Sequence, residues 1–336
     1  MHVLVTGASG FLGQYVVANI LRQGHSVRAV VRPNRDRATL SWTNHGAVEI
    51  VEADLTVATG LDAVVAGVDG VIHLAASKSG DFSEAYQGTV VTTKHLLDAM
   101  ALAQVWRLVL VSSFSVYDYS QLPDGSVLDE ACAVDAYPAQ RDAYAQTKLL
   151  QEQAVVEFMT HPLAAVTVIR PGMIYGRGAL WNACHGTGVG PLWLVIGPTG
   201  QMPLTYVENC ADAIVAALAA EGAVGATINI VDDNLPDRRA YTNALVRHSD
   251  HPPKAFPVSW SLLRGVTQAT WVVNQRVFRG RPKLPGLLIP ARLDARLKPL
   301  TYSNTRAKKL LQWHPQYSWS EALNRCWDED ISLLST

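Results

Sequence analysis

Apolar residues recur along the first two thirds of the chain in short β-branched runs separated by segments of helical period. The runs predict strands over His2–Thr6, Ser26–Val31, Val48–Glu52, Gly70–His73, Arg107–Ser112, Val166–Arg170 and Ala226–Ile230. Leu12, Val16 and Ile20 repeat every four residues, which predicts a helix over Phe11–Gln23, and Gly24 stands where a terminating glycine belongs. Near-continuous apolar strands alternating with helices predict an α/β fold with a parallel sheet covered on both faces. After about Pro171 the regularity weakens, and segments 176–203 and 232–336 are rich in Gly, Pro and Trp. The expected division is a sheet-bearing domain of residues 1–172 plus 204–231 and a smaller substrate-binding lobe of 173–203 plus 232–336.

The first strand runs into T-G-A-S-G-F-L-G at 6–13. Gly7 permits a tight turn out of the strand. Gly10 lets the backbone approach a pyrophosphate, and Gly13 lets the helix pack on the sheet. The free N–H groups of the helix N-terminus favour phosphate. A glycine turn between a strand and a helix predicts a Rossmann-type doubly wound sheet that binds a dinucleotide through Gly7, Ser9, Gly10, Phe11, Leu12 and Gly13. A glycine-rich turn without a ligand is the plain alternative. An acidic residue at the end of the second strand would select NAD. This chain has Arg32 there, followed by Arg35 and Arg37. A guanidinium pairs with a 2′-phosphate, so the expected cofactor is NADP(H) in preference to NAD(H). Solvated loop arginines are the alternative. Asp54 and Leu55 after the third strand suit the adenine, and Leu74, Ala75 and Ala76 after the fourth suit the ribose and nicotinamide. Each group also reads as an ordinary strand end.

Tyr144 and Lys148 form Y-x-x-x-K on a helical stretch and share one face. A phenol of pKa ~10 is a poor base at neutral pH. An ammonium ~4 Å away is worth ~4 kcal/mol, enough to bring the phenol toward neutrality. Tyr144 is therefore expected to be a general acid–base. The fifth strand exits through V-S-S-F-S-V-Y at 111–117. Strand carboxyl ends are where ligands sit in such sheets, so Ser113 is placed to donate to a developing oxyanion. Ser115 shares that exit. A serine-rich exit bonding its own backbone is the plain alternative.

The chain's 336 residues, half of them apolar and 17% charged, suit an ample globular core. A net charge of -1 without a basic run gives no sign of nucleic acid. Cys132, Cys184, Cys210 and Cys326 form no C-x-x-C pair, and the histidines are scattered, so no metal set is expected. Unpaired cysteines and an opening strand without a basic leader point to a reduced, cytoplasmic setting. No apolar run is long enough to predict a spanning helix.

These motifs together resemble the extended branch of the short-chain dehydrogenase/reductase superfamily, over nearly the whole chain. The resemblance rests on T-G-A-S-G-F-L-G at 6–13, A-D-L at 53–55, H-L-A-A at 73–76, S-S-F-S-V-Y at 112–117 and Y-A-Q-T-K at 144–148. It continues through I-R-P-G-M-I-Y-G at 169–176, Y-V-E-N at 206–209 and L-L-Q-W-H-P at 310–315. It implies Ser113, Tyr144 and Lys148 as the catalytic three, and Pro171, Gly172 and Met173 beside the nicotinamide. Three departures narrow the branch. The Asp-Glu pair of the dehydratases is Phe114 and Ser115 here. The R-Y-x-N of nucleotide-sugar epimerases is replaced at Arg170 to Met173, and their Arg-Asp-Phe by Met202, Pro203 and Leu204. Ala85 stands where the family often has asparagine. The pattern is closest to hydroxysteroid dehydrogenases and dihydroflavonol reductases. It implies ketone–alcohol interconversion on a largely apolar small molecule. A sugar epimerase and a non-catalytic NADP(H)-binding redox sensor are the alternatives. Homodimers are common in this family.

Leu263, Val266, Thr270, Val273 and Val277 fall on a helical spacing among Arg264, Arg276, Arg279, Arg281 and Lys283. Core packing between lobes, a substrate lid and a membrane-surface helix all fit that pattern, core packing first.

Overall fold

Strands β1 (His2–Thr6), β2 (Ser26–Val31), β3 (Val48–Glu52), β4 (Gly70–His73), β5 (Arg107–Val111), β6 (Ala165–Pro171) and β7 (Thr227–Ile230) form one parallel sheet. Their order is β7-β6-β5-β4-β1-β2-β3. The computed structural model describes residues 1–78, 80–182, 184–249, 251–328 and 333–334. Each observed strand lies within a residue of its expected bounds, because β-branched runs leave little choice of conformation. Helices α1 (Phe11–Arg22), α2 (Thr92–Leu102), α3 (Ala143–Phe158) and α4 (Val207–Ala219) flank the sheet.

Side chains alternate across the pleat. Val3 and Val5 join Val27, Ala29 and Val31 in a cluster with Val16, Ile20 and Ile214, from α1 and α4. Leu4 faces the other way, with Leu108 and Leu110, onto Leu96, Met100 and Val155 of α2 and α3. Both faces are thus covered, as continuous apolar strands require. Each such fully buried side chain is worth about 1.5–3 kcal/mol. Helix α1 ends as expected: Gly24 takes φ +76° and donates to Leu21, while His25 donates to Ile20. That is a Schellman stop, which the missing Cβ permits.

The sheet order reverses between β1 and β4, and the carboxyl ends at such a switch point are where open α/β sheets take ligands. The later segments surround that end. Met173–Tyr175 pairs with Leu204–Tyr206, and Gly186–Val189, Leu192–Ile196 and Lys254–Val258 form a second small sheet. Helices α5 (Arg238–Arg247) and α6 (Trp260–Arg276) follow.

Helix α6 forms, but its expected apolar face packs only in part: Leu263 joins a small core cluster, while the valines do not. Trp260, Thr267 and Asn274 are the side chains it buries. Val266, Val273 and Val277 are exposed, joined by Leu262 and Phe278. The buried stripe is the one that meets the small cluster of Ile196, Leu293 and Leu297 through Trp260. Thr267 Oγ1 also donates to Leu287 O. Among the described residues no helix is long and apolar enough to cross a membrane.

Candidate active site

The expected glycine turn is built as the spacing requires. Gly7 leaves β1 at φ +68°, a conformation costly for any side chain. A Cβ there would lie 3.0 Å from Ala75 N. The turn is thereby pressed against Leu74 and Ala75, with Ala76 next in the same half-buried segment. A Cβ on Gly13 would lie 2.1 Å from Gly7 O, so the helix can start this close to the strand only with glycine. Gly10 is the N-cap, offers no side-chain cap, and the first turn carries no acid. The first-turn N–H groups are therefore left for an anion, which fits a pyrophosphate. Ser9, Phe11 and Leu12 lie half-buried along this turn, Phe11 edge-on to Tyr15 with centroids 5.8 Å apart.

Three neighbouring strands, β1, β4 and β5, bring the remaining groups together. Thr6 and His73 are register partners at the ends of β1 and β4. Thr6 Oγ1 lies 2.6 Å from His73 Nδ1, and His73 Nε2 lies 2.8 Å from Thr93 Oγ1. Thr93 Oγ1 also donates to Thr89 O and accepts from Gln151 Nε2 at 2.8 Å. Gln151 Oε1 accepts from Lys148 Nζ at 2.8 Å, and Lys148 Nζ donates also to Val111 O at the end of β5, 2.9 Å away. Thr93 has one proton, given to Thr89 O, so His73 must donate from Nε2 and accept at Nδ1 from Thr6. Burial holds His73 neutral by pushing its pKa down to about 3, which keeps this single arrangement.

Asp142 caps α3 by accepting from Ala145 N at 3.0 Å, which sets the helix phase that carries Tyr144 and Lys148. Lys148 Nζ lies 5.9 Å from the Tyr144 ring centroid. Ser113, in extended backbone at the exit of β5, accepts from Ser115 N at 3.1 Å. Its hydroxyl lies near enough to the Tyr144 phenol to draw the phenol's pKa down. Burial outweighs it, so the Tyr144 pKa stands above the ordinary value. The expectation that Lys148 drags the phenol toward neutrality is not met in the chain by itself. The reason is that Lys148 is buried too, and desolvation lowers its own pKa to about 7. Burial thus favours the neutral phenol of Tyr144 in the chain by itself.

The other expected residues line the same end of the sheet. Pro171 closes β6, and Gly172 passes so close to the neighbouring chain that a Cβ would lie 2.3 Å from Pro203 O. Met173 follows, half-buried. Arg32 follows β2 and is exposed; its backbone carbonyl accepts from Arg35 N, while its side chain makes no hydrogen bond or ion pair among the described residues and acts on Asp54 only through its charge. Arg37 is not free in that way, because it pairs with Glu52. Asp54 accepts from Thr56 N and Oγ1, which with other causes holds its carboxyl below the usual range, and Leu55 is buried beside it.

A profile of the NAD dependent epimerase/dehydratase family matches residues 3–230. The chain belongs to this family. It is an NAD(P)-dependent oxidoreductase of the extended short-chain dehydrogenase/reductase type. A 2-alkyl-3-oxoalkanoate reductase of Stenotrophomonas maltophilia is 27% identical over 97% of this chain and 98% of that protein. A 3 beta-hydroxysteroid dehydrogenase/Delta 5-->4-isomerase of Mycobacterium tuberculosis is 26% identical over 99% and 91%. Cinnamoyl-CoA reductase 1 of Petunia hybrida is 32% identical over 52% of this chain and 54% of that enzyme. Among solved structures, UDP-glucuronic acid 4-epimerase of Bacillus cereus with NAD superposes with a TM-score of 0.71 at 19% identity, covering 97% and 98% of the two chains. That likeness is one of fold.

Several members of this epimerase/dehydratase site carry no signal of their own in the linear pattern. Gln151 and Thr93 are ordinary polar residues within helices. Only the i, i+3 spacing of Lys148 and Gln151 hints that the two meet. Glu152 takes Arg170 in a two-pronged pair, Nε to Oε1 at 2.9 Å and Nη2 to Oε2 at 2.5 Å, beneath the Tyr117 ring. This pair ties α3 to β6 and so fixes the helix that bears Tyr144.

Proposed function

We propose that this protein is an NADP(H)-dependent reductase that interconverts a ketone and a secondary alcohol on a largely apolar small molecule. The observation that carries the reading is that Ser113 at the exit of β5 meets Tyr144 and Lys148 of α3 at the carboxyl end of the sheet, with Lys148 fixed by Val111 O and Gln151. Ser113 orients the carbonyl oxygen, and Tyr144 delivers the proton as negative charge grows there. The nicotinamide, when bound, supplies the hydride. Lys148 donates toward the phenol and the cofactor ribose. Gly7, Ser9, Gly10, Phe11, Leu12 and Gly13 hold the pyrophosphate, with Asp54, Leu55, Leu74, Ala75, Ala76 and Pro171 to Met173 along the rest of the cofactor. Exposed Arg32, in place of an acid, favours NADP(H).

The reductase and dehydrogenase names of the two relatives matching end to end support this direction. An epimerase would share the same three residues, but the sugar-diphosphate residues of that branch are replaced here. The sheet-bearing residues form the cofactor domain, and the later segments form the substrate lobe. The free cysteines support a cytoplasmic setting. Exposed Leu102 of α2 and Val156 of α3 offer apolar contacts for a homodimer, and exposed α6 suits contact with a membrane surface.

Tyr144→Phe tests the proposal. Turnover of a panel of ketones, followed by loss of NADPH absorbance, should fall by at least about 10²-fold while NADPH binding persists. Retained turnover would show another proton donor. Product formation without net NADPH consumption would favour the epimerase.

A further inference from the structure

Arg238 is fully buried in the smaller lobe, yet no carboxylate pairs with it among the described residues. Its Nε donates to Cys184 O at 2.9 Å and its Nη1 to Gly197 O at 3.1 Å. Nη2 has no partner. Nε and Nη2 share one edge of a guanidinium, so Nη2 faces the same side as the Cys184 carbonyl. His185, the next residue, is fully buried, and neither of its ring nitrogens has a partner. The Trp193 indole lies 4.8 Å from His185 between centroids, and its Nε1 is likewise buried and unpartnered. A Cβ on Gly186 would lie 2.6 Å from that Nε1, so the indole N–H sits beside the same stretch of chain. The adjacent acid, Asp237, is engaged as the α5 cap, accepting from Ala240 N at 2.7 Å.

Three unsatisfied donors therefore gather at residues 184–186 around one uncompensated buried charge. A buried cation without a counter-charge is strongly destabilising, and each idle buried donor adds to that cost. Water satisfies N–H groups but does not neutralise the guanidinium. One anion does both. A single cation with a neutral imidazole matches a monoanion, and a carboxylate has the two oxygens that an Nη2, an indole N–H and an imidazole N–H would share. A diphosphate would need more positive charge. A chain of contacts links the cluster to the exit of β5: Tyr302 is within electrostatic reach of Arg238 and stacks on Phe114, the residue after Ser113, with ring centroids 5.9 Å apart. Trp181, 5.4 Å from His185 between ring centroids, is the exposed edge of the cluster.

We propose that Arg238, His185 and Trp193 form an anion pocket that takes a carboxylate carried by the substrate. The reaction class above then narrows to oxo acids and hydroxy acids with an apolar body. This rests on the reductase reading for its setting, but binding tests it without turnover. Titration calorimetry with octanoate and its neutral ester, methyl octanoate, on the NADP⁺-loaded protein should show octanoate binding at least about tenfold more tightly, ~1.4 kcal/mol. Arg238→Gln should abolish that preference. Arg238 also holds two carbonyls, so Trp193→Phe, which keeps the ring and removes the N–H, serves as the second variant and should weaken octanoate severalfold. Equal binding of acid and ester, binding of neither, or unchanged octanoate affinity in Trp193→Phe would overturn the assignment. Inorganic phosphate displacing octanoate at lower concentration than acetate does would also overturn it, in favour of a phosphoryl group. Failure of ketone turnover with octanoate still bound at Arg238 would sink the reductase and leave the pocket standing.

Discussion

Lys148 Nζ and Gln151 Oε1 lie 2.8 Å apart on the same face of α3, and the amide's other end is anchored on Thr93. The lysine's position is thus set by a side chain that itself has only one satisfactory orientation. Turning the Gln151 amide over would aim its NH₂ at an ammonium. Gln151→Met keeps the bulk and removes both bonds. We expect a stability loss of about 1–3 kcal/mol from the idle groups, and a fall in kcat of about tenfold from the misplaced lysine. A merely structural role would not move the pH–rate profile. Loss of the acceptor should lower the Lys148 pKa further, and Gln151→Glu should raise it. Profiles that shift the same way in both variants, or not at all, would refute a positioning role.

Burial of Lys148 has its own thermodynamic consequence. Its folded pKa is depressed to about 7, below the ordinary value of 10.5. Between these pH values the unfolded chain holds a proton that the folded one has released. Stability must therefore rise with pH across that window, by at most about 1.4 kcal/mol per unit. Below about 7 both states hold the proton, and the full desolvation cost remains. Thermal melts of cofactor-free protein from pH 7 to 10 should show this rise, and Lys148→Met should flatten it. Parallel curves for the two proteins would show that the lysine is not desolvated.

Much of this geometry was legible in the linear pattern. An apolar run buried on both faces has one conformation open to it, so the strand bounds of β1 and β4 follow directly from the residues, and the half-buried edge strand β3 keeps its bounds through Val48, Ile50 and Val51. The glycine turn was equally legible, because Gly7 needs a positive φ and Gly13 has no room for a Cβ. What stayed hidden depends on contacts between distant segments. The spacing of α6 gives an apolar stripe, but which stripe faces the core is decided by Trp260 meeting Leu293 and Leu297. Arg238 likewise reads as a surface arginine until Gly197 and Gly200 are seen to make room for it. The Y-x-x-x-K spacing shows the Tyr144–Lys148 pair but not its electrostatics, since spacing does not report burial.

Arg32 is exposed just past β2 with its side chain in no ion pair among the described residues, whereas Arg37 is tied to Glu52. Of the two, Arg32 is therefore the one available to a 2′-phosphate. Arg32→Ala should weaken NADPH binding by roughly 10- to 100-fold, as expected for charge-assisted hydrogen bonds of about 1.5–3 kcal/mol. NADH, which lacks the phosphate, should be affected by no more than about threefold. Fluorescence titration of both cofactors measures this. An equal loss for both would place Arg32 against the shared adenosine and remove the basis for an NADP(H) preference.

Helix α6 presents Leu262, Val266, Val273 and Val277 to solvent, with Phe278 just beyond it, Val277 at 67% exposure. Such a stripe is unusual on a protein that stays free in solution. The surrounding charge selects what it meets. Residues 251–293 contain no Asp or Glu, while Arg276, Arg279, Arg281 and Lys283 cluster at the apolar end. Each cation near an anionic lipid surface contributes about 1 kcal/mol, and the apolar side chains add their burial in the headgroup region. The protein should co-sediment with phosphatidylglycerol-rich vesicles at low salt and much less with phosphatidylcholine vesicles. Val277→Glu together with Phe278→Glu should remove the binding while leaving the melting temperature within a few degrees, because neither side chain is buried. Equal recovery in the supernatant with both vesicle types would leave the stripe without a lipid partner. Concentration-dependent self-association abolished by the same pair of substitutions would instead assign it to a contact between two copies of the chain.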